Sequence, residues 1–286
     1  MKDDITIKTC VIISTYNNPR WLKLTLTGYE GQTVMPDEVI VADDGSGEET
    51  RLLVDSFSGR LPIKHVWHTD RGFQKSEILN KAISAAESDY LIFTDQDCIP
   101  RADFVETHKR MARKGAYLSG GYFKLTMAVS TMLTGQDVAD GAPFSPMWLL
   151  RHGQPLTYKM LKLTRSRIIS SVINALTPRP KTFNGCNSSC WREDAMKVNG
   201  FDENMHYGGQ DHEFGLRLKN SGVKPVQIAY STVALHLDHA RPYKNAEGVA
   251  ANKKRIEITK KEGKTWTYNG IIKSDKETRV DILRGK

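Results

Sequence analysis

A chain of 286 residues with 39% apolar and 26% charged side chains has ample length for a folded core, and no run approaches the ~18 apolar residues of a membrane span. The formal net charge is +8, spread unevenly: Gly141 to Arg192 holds no acidic residue against eight Lys or Arg, and Asn245 to Lys286 holds eleven basic and six acidic residues. Such a balance suits nucleic acid, anionic lipid or phosphorylated small molecules, and charge alone does not choose among them.

The start, Met1-Lys-Asp-Asp, has no signal-peptide shape. Thr9 to Ser14 reads as a β-branched strand, and Pro19 opens a helix through about Tyr29 because proline is tolerated in a first turn. Glu38 to Ala42 is a second strand ending on Asp43-Asp-Gly-Ser46. Glu48 to Phe57 is a helix, Ile63 to Trp67 a strand, and about Lys75 to Glu87 a helix. Tyr90 to Thr94 is the fourth strand, followed by a helix from Ala102 to Arg113. Strand alternating with helix predicts an α/β fold built on a doubly wound, mainly parallel sheet. Ligands on such sheets lie outside the strands' C-terminal ends, where Thr15-Tyr-Asn17, Asp43-Asp44, Arg71 to Lys75 and Asp95-x-Asp97 all fall.

The second half reads differently. Tyr117 to Leu125 has the pattern of a strand, and Met147 to Arg179 that of an insertion. Inside it Leu161, Ile168, Ile169, Val172, Ile173 and Leu176 recur at helical spacing, with Lys162, Arg165 and Arg167 among them. Gly208-Gly-Gln-Asp-His-Glu213 precedes a helix to about Asn220, and Val226 to Leu237 is a long strand-like run containing His236. Four scattered cysteines, Cys10, Cys98, Cys186 and Cys190, lack zinc-site spacing and are expected as free thiols.

Asp95 and Asp97 are spaced i, i+2, so an extended backbone points both the same way. Two hard oxygen ligands at a strand's end suit Mg²⁺ or Mn²⁺ held together with phosphates. Taken alone, Asp-Gln-Asp is equally an ordinary turn, as is Asp-Asp-Gly-Ser. Their convergence on one sheet edge favours a site.

The motif order Val11-Ile-Ile-Ser-Thr-Tyr-Asn17, Val41-Ala-Asp-Asp-Gly-Ser46, Arg71-Gly-Phe-Gln-Lys75 and Asp95-Gln-Asp97 resembles family 2 glycosyltransferases of the GT-A fold. The downstream Asn184-Gly-Cys-Asn187, Gly200-Phe-Asp-Glu203, Gly208-Gly-Gln-Asp-His-Glu-Phe214 and Ala234-Leu-His236 resemble the galactosyltransferase-type half of chondroitin-polymerase-like enzymes. The resemblance covers about residues 9 to 242. It implies a Rossmann-like nucleotide-sugar-binding half, about 1–120, fused to an acceptor-binding half, about 180–245. Together they would make one domain of residues 1–245, with a basic insertion at 141–181 and a basic extension at 246–286.

Carried over residue by residue, the resemblance implies Asp95, Asp97 and His236 as metal ligands, with His239 a nearby rival to His236. It implies Thr15, Tyr16, Asn17, Asp43 or Asp44, Lys75 and Asp95 at the UDP-sugar. Asp211 would be the base of an inverting transfer, and Tyr207, Gly209 and Gln210 would meet the acceptor. Two departures stand out: Gln210-Asp211 replaces the usual Glu-Asp, and Ile78-Leu79-Asn80 replaces Ala-Arg-Asn.

The expected activity is metal-dependent transfer of a hexose or N-acetylhexosamine from a UDP-sugar to a glycan or lipid-linked glycan in bacterial capsule, O-antigen or lipopolysaccharide synthesis. The expected location is cytoplasmic, peripheral on the inner membrane; the acid-free insertion and its amphipathic helix suit an anionic membrane surface, and equally a helix that packs on the domain. Two rivals are a catalytically silent glycan-binding relative, for which Gln210 argues, and a nucleic-acid-binding protein. The second lacks interleaved aromatic and basic stacking motifs, so no nucleic acid is expected.

Overall fold

The computed structural model describes residues 7–178, 180–239 and 246–273. Strands β1 (Thr9–Thr15), β2 (Glu38–Asp43), β3 (Ile63–Trp67) and β4 (Tyr90–Asp95) lie parallel in the order β3-β2-β1-β4. Helices α1 (Pro19–Glu30), α2 (Glu48–Asp55) and α3 (Lys75–Ala85) make the crossovers. The strands alternate their side chains between two apolar layers. Cys10, Ile12, Ile40, Ala42, Leu91 and Phe93 face one layer; Val11, Ile13, Val39, Val41, Tyr90 and Ile92 face the other. Burial on both faces is why β1, β2 and β4 read as apolar runs, whereas β3 at the sheet edge is only partly buried. The register sets Thr15 opposite Asp43 and Ser14 opposite Asp95, so the C-terminal ends of three strands are flush.

Beyond β4 the chain adds β5 (Cys98–Pro100), α4 (Phe104–Met111), β6 (Ala116–Ser119) and β7 (Gly121–Lys124). Short helices α5 (Met127–Met132), α6 (Gly135–Ala139) and α7 (Pro146–Arg151) follow, then α8 (Arg167–Leu176). Next come β8 (Ser188–Trp191), α9 (Arg192–Lys197), α10 (Gln210–Asn220), β9 (Lys224–Gln227), β10 (Val233–His236) and α11 (Ala246–Glu262). Strand β8 joins β4 antiparallel, and β6 and β9 complete a mixed seven-stranded sheet. A second sheet has the order β5-β10-β7. The expected α/β architecture with a mixed, mainly parallel sheet is what the chain adopts.

Two strands expected as single runs are each split between the sheets. Tyr117 to Leu125 breaks at Gly120, where a Cβ would stand 2.0 Å from the Asn187 side-chain oxygen. Val226 to Leu237 breaks into β9 and β10 at a turn held by Asn174 and Arg101, which bond Tyr230 N and Ser231 O. The apolar periodicity from Leu161 becomes helix only at Arg167, where the Ser166 hydroxyl accepts from Ile169 N; Tyr158–Leu163 is 3₁₀ instead. The segment set apart as an extension, 246–286, packs into the domain through Lys273. Asn199 donates to Thr267 O and Ile272 O, and Asn220 to Thr259 O and Lys264 O. Residues 274–286 of it, like Met1-Lys-Asp-Asp, lie outside the described residues. All four cysteines are free and buried.

A directional hydrogen-bond chain ties β4, α4 and β8 together. Asn187 Nδ2 donates to Gly121 O, which turns its oxygen toward His108 Nε2 at 2.9 Å. Nε2 therefore carries the proton, and His108 Nδ1 accepts from Ser189 Oγ at 2.7 Å, which in turn meets Tyr90 OH. Burial holds the His108 imidazole down to about 4, partly offset by the Asn187 hydrogen bond. Between that value and the ordinary one near 6.5 the unfolded chain binds more protons, so stability falls as pH drops through this window. Denaturant melts at pH 7 and pH 5 should differ by about 2 kcal/mol on this account, and His108→Gln should remove that part of the difference. An unchanged difference would assign the acid sensitivity elsewhere.

Candidate active site

The flush strand ends bring a set of polar side chains to one edge. At β1, Thr15 Oγ1 donates to Gln96 Oε1 at 2.5 Å, and Tyr16, 43% exposed, donates to Asp70 Oδ2 at 2.8 Å. Asn17 adopts a left-handed φ of 42° and accepts from Gly47 N, tying this loop to the one after β2.

The two aspartates after β2 differ. Asp43 is 0% exposed, and its oxygens accept from Ser46 N and meet His65 Nε2, so it holds the turn and offers no surface. Asp44 accepts from Gln74 N at 2.9 Å and meets His68 Nε2 at 2.7 Å. Lys81 Nζ lies 3.1 Å from His68 Nδ1, which makes Nδ1 the acceptor and leaves Nε2–H to donate to Asp44. Burial pushes the Asp44 carboxyl up, with Gln74 and His68 pulling against it. His65 and His68 carried no sequence signal, because their partners come from another strand.

Lys75 opens α3, and its Nζ reaches Asp95 Oδ1 at 2.5 Å, which also accepts from Ser14 Oγ at 2.6 Å. Burial alone would lower the Lys75 pKa. The charges of Asp95, Asp211 and Asp97 outweigh burial and raise it well above the usual range, so Lys75 is a fixed cation. A lysine in a first turn gains nothing from the helix dipole, so its position is explained by those carboxylates.

Asp97 sits beneath, with His239 Nε2 at 2.8 Å and His236 Nε2 at 3.5 Å from its Oδ2. The His236 Nδ1 proton is committed to Leu237 O at 2.7 Å, so Nε2 is the nitrogen turned toward Asp97 and offers it a lone pair when the ring is in its neutral form. Two lone-pair donors facing each other across 3.5 Å fit a divalent cation between them. Asp97, Cys98 and His236 are the described residues whose ligand atoms cluster within 4.8 Å. Burial keeps the Cys98 thiol protonated, which leaves oxygen and nitrogen donors. Burial would push the Asp97 carboxyl up, but the His239 hydrogen bond and the positive charge that both histidines carry when protonated hold it well below the usual range. Asp95, expected as a third ligand, lies outside this cluster and is engaged by Lys75.

Asp211 stands in the first turn of α10, where an anion is favoured. Its Oδ1 is buried without a hydrogen-bond partner among the described residues. Burial raises its pKa, with Lys75 pulling down and Asp95 adding to the rise. Gly185 leaves the room: a Cβ there would lie 2.8 Å from Asp211 Oδ2. The preceding Gly208 and Gly209 have φ of 99° and 92°, which only glycine adopts readily. Gln210 turns its oxygen back onto Gly208 N at 2.9 Å, so this residue stiffens its own loop. Tyr207 packs edge-on against Phe73, ring centroids 5.8 Å apart, joining the loop before α10 to the loop before α3.

Sequence reasoning missed what holds this loop. Asn252 of α11, 1% exposed, donates to His206 O at 2.6 Å and Gly208 O at 2.7 Å. Thr259 reaches Glu213, whose bidentate pair with buried Arg217 locks α10 onto Val198 O and Gly200 O.

Comparison with known proteins adds lineage. The pattern of "Glycosyl transferase family 2" matches residues 10–139, and that of "N-terminal domain of galactosyltransferase" matches residues 170–242. Chondroitin synthase of Pasteurella multocida is 27% identical over 237 residues, 74% of this chain and 23% of that protein. The chain thus spans about a quarter of that relative's length. The mannosyltransferase PcManGT of Pyrobaculum calidifontis, solved with GDP-Man and Mn²⁺, superposes at TM-score 0.57 and 20% identity over 84% of this chain and 59% of its own. TarS 1-349 of S. aureus with UDP-GlcNAc gives 0.55 and 16% over 83% and 60%. These two likenesses concern the fold.

The coupling of Lys75 to Asp211 is measurable directly. In Lys75→Met, carbon-13 NMR titration should move the Asp211 carboxyl to higher pH, because the cation that pulls it down is gone; Lys75→Arg should restore much of the difference. An Asp211 titration indifferent to Lys75→Met would dissolve the cluster as an electrostatic unit.

Proposed function

We propose that this chain, whose residues 10–139 match the pattern of glycosyltransferase family 2, moves a hexose or N-acetylhexosamine from a UDP-sugar to a glycan hydroxyl with inversion at the anomeric carbon. The acceptor we favour is a lipid-linked glycan of bacterial surface polysaccharide synthesis, lipopolysaccharide included. The observation that carries the reading is Asp211 Oδ1, buried, unpartnered among the described residues and facing the Lys75 cluster. A raised carboxylate pKa suits a general base, since it brings proton affinity nearer to the operating pH.

In this reading Asp211 takes the acceptor hydroxyl's proton on Oδ1 as the hydroxyl oxygen attacks the anomeric carbon, and the UDP oxygen leaves from the opposite side. Lys75 stays protonated beside the leaving diphosphate and offsets its growing negative charge. Asp97 and His236, with Asp95 next to them, would hold Mn²⁺ or Mg²⁺, which supplies further stabilisation of that charge. Asp44, held by His68 and Gln74, is placed to accept from the uracil N–H, while Thr15, Tyr16 and Asn17 line the base and ribose. Tyr207 offers an aromatic face to an acceptor sugar, and Gly209 lets backbone approach it. The UDP-GlcNAc of TarS and the Mn²⁺ of PcManGT support the donor and cation classes by analogy of fold.

Asp211→Asn keeps size and helix geometry but removes the proton acceptor, so transfer should fall about 10²–10⁴-fold with donor affinity nearly unchanged. Near-normal turnover in that variant would place the base elsewhere. Independently, calorimetry of UDP binding with Mn²⁺ and then with chelator should show a metal dependence that Asp97→Ala removes while the fold persists. A Mn²⁺-dependent affinity untouched by Asp97→Ala would end the ligand assignment.

A further inference from the structure

Helix α8 is amphipathic the wrong way round for a domain packed on its own core. Ile168, Val172 and Leu176, spaced i, i+4, i+8 on one face, are 78%, 51% and 77% exposed, and Ile169 beside them is 50% exposed. The one buried residue of the helix is Ser170, and Ile173 is half-buried. What anchors the inner face is polar: Asn174 accepts from Tyr230 N at 3.1 Å and donates to Ser231 Oγ at 2.9 Å. Just before the helix, Leu156, Tyr158 and Leu161 are 76%, 75% and 52% exposed along a shallow apolar groove. A contiguous apolar face turned to solvent marks an interaction surface.

The charge around it chooses the partner. The whole stretch from Gly141 to Arg192 carries no carboxylate, while Lys159, Arg165 and Lys181 are exposed on it. Arg167 is also exposed and bonds Glu106 at 2.8 Å. Lys162 does not belong to this set: it is buried and donates to Tyr122 O. A second copy of the chain docked through a two-fold axis would set this basic segment against itself. An anionic bilayer meets both features at once, apolar side chains entering the acyl boundary and cations meeting phosphate head groups. No helix among the described residues is long and apolar enough to cross a membrane, so attachment here is in the plane of the surface.

We propose that α8, flanked by Lys159, Arg165 and Lys181, docks this protein on an anionic lipid surface. The proposal rests on the lipid-linked acceptor for its purpose but not for its measurement, which needs neither donor nor acceptor. The experiment is flotation of the full chain with vesicles of phosphatidylglycerol and phosphatidylcholine, against phosphatidylcholine alone. Wild type should float with the anionic vesicles, and the triple variant Ile168→Gln, Val172→Gln, Leu176→Gln should lose at least about tenfold in affinity. The variant Lys159→Gln, Arg165→Gln, Lys181→Gln should lose about fivefold per charge at low salt. Metal-dependent UDP-sugar hydrolysis without vesicles should match wild type in both, which separates a docking failure from a failure of the proposed chemistry. Failure of wild type to float would overturn the proposal, as would equal flotation of the Ile168→Gln, Val172→Gln, Leu176→Gln variant. So would a wild-type dimer in solution that those three substitutions dissociate.

Discussion

One cation holds the site together. Asp95 at the end of β4, Asp97 two residues on and Asp211 at the start of α10 all act on Lys75. Three carboxylates in a partly desolvated space repel one another, and burial alone raises the proton affinity of each such group. The Lys75 ammonium offsets that repulsion and keeps its own charge in return. The neighbouring Asp97 escapes protonation by a different route, through His239 and His236. Charged phosphates and a cation could enter such an edge with little rearrangement, because compensating charges of both signs are already fixed there.

Holding that geometry takes elements from every part of the chain. The parallel strands set Thr15 opposite Asp43 and Ser14 opposite Asp95 through register alone. The opposite wall depends on α10, and α10 depends on a buried, fully bonded Arg217–Glu213 pair that would be costly to break singly. Helix α11 then clamps the glycine loop before Asp211 through Asn252. Helix α11 is therefore part of the site's frame, and Lys253, Lys254, Lys260 and Lys261 lie on its exposed side. Conversely, α8 meets the frame through polar contacts and half-buried Ile173 and turns Ile168, Ile169, Val172 and Leu176 outward, an orientation that its periodicity alone does not reveal.

The parallel half was legible in the sequence because β1, β2 and β4 are buried on both faces and its helices begin at proline or at polar loop residues, signals that depend on near neighbours. The i, i+2 spacing of Asp95 and Asp97 and the first-turn place of Asp211 were legible for the same reason. By themselves, then, the residues determined the α/β order, the sheet edge where the polar side chains gather and the resemblance to glycosyltransferases that the family patterns over 10–139 and 170–242 share.

Tertiary structure alone decided the rest. Gly120 ends a strand because Asn187, sixty-seven positions on, occupies the space a Cβ would need. Asp43 and Asp44 are adjacent and chemically identical, yet His65 and Ser46 close one off while His68 and Gln74 hold the other, a distinction made by β3 and the loop before α3. Helical periodicity around Ile168 fixes that one face is apolar, but which way that face points depends on Asn174 finding Tyr230 and Ser231. Local pattern sets the conformation a segment prefers. Which side of it is covered, and which partners each of two equal carboxylates takes, is set by groups that only the folded chain brings into reach.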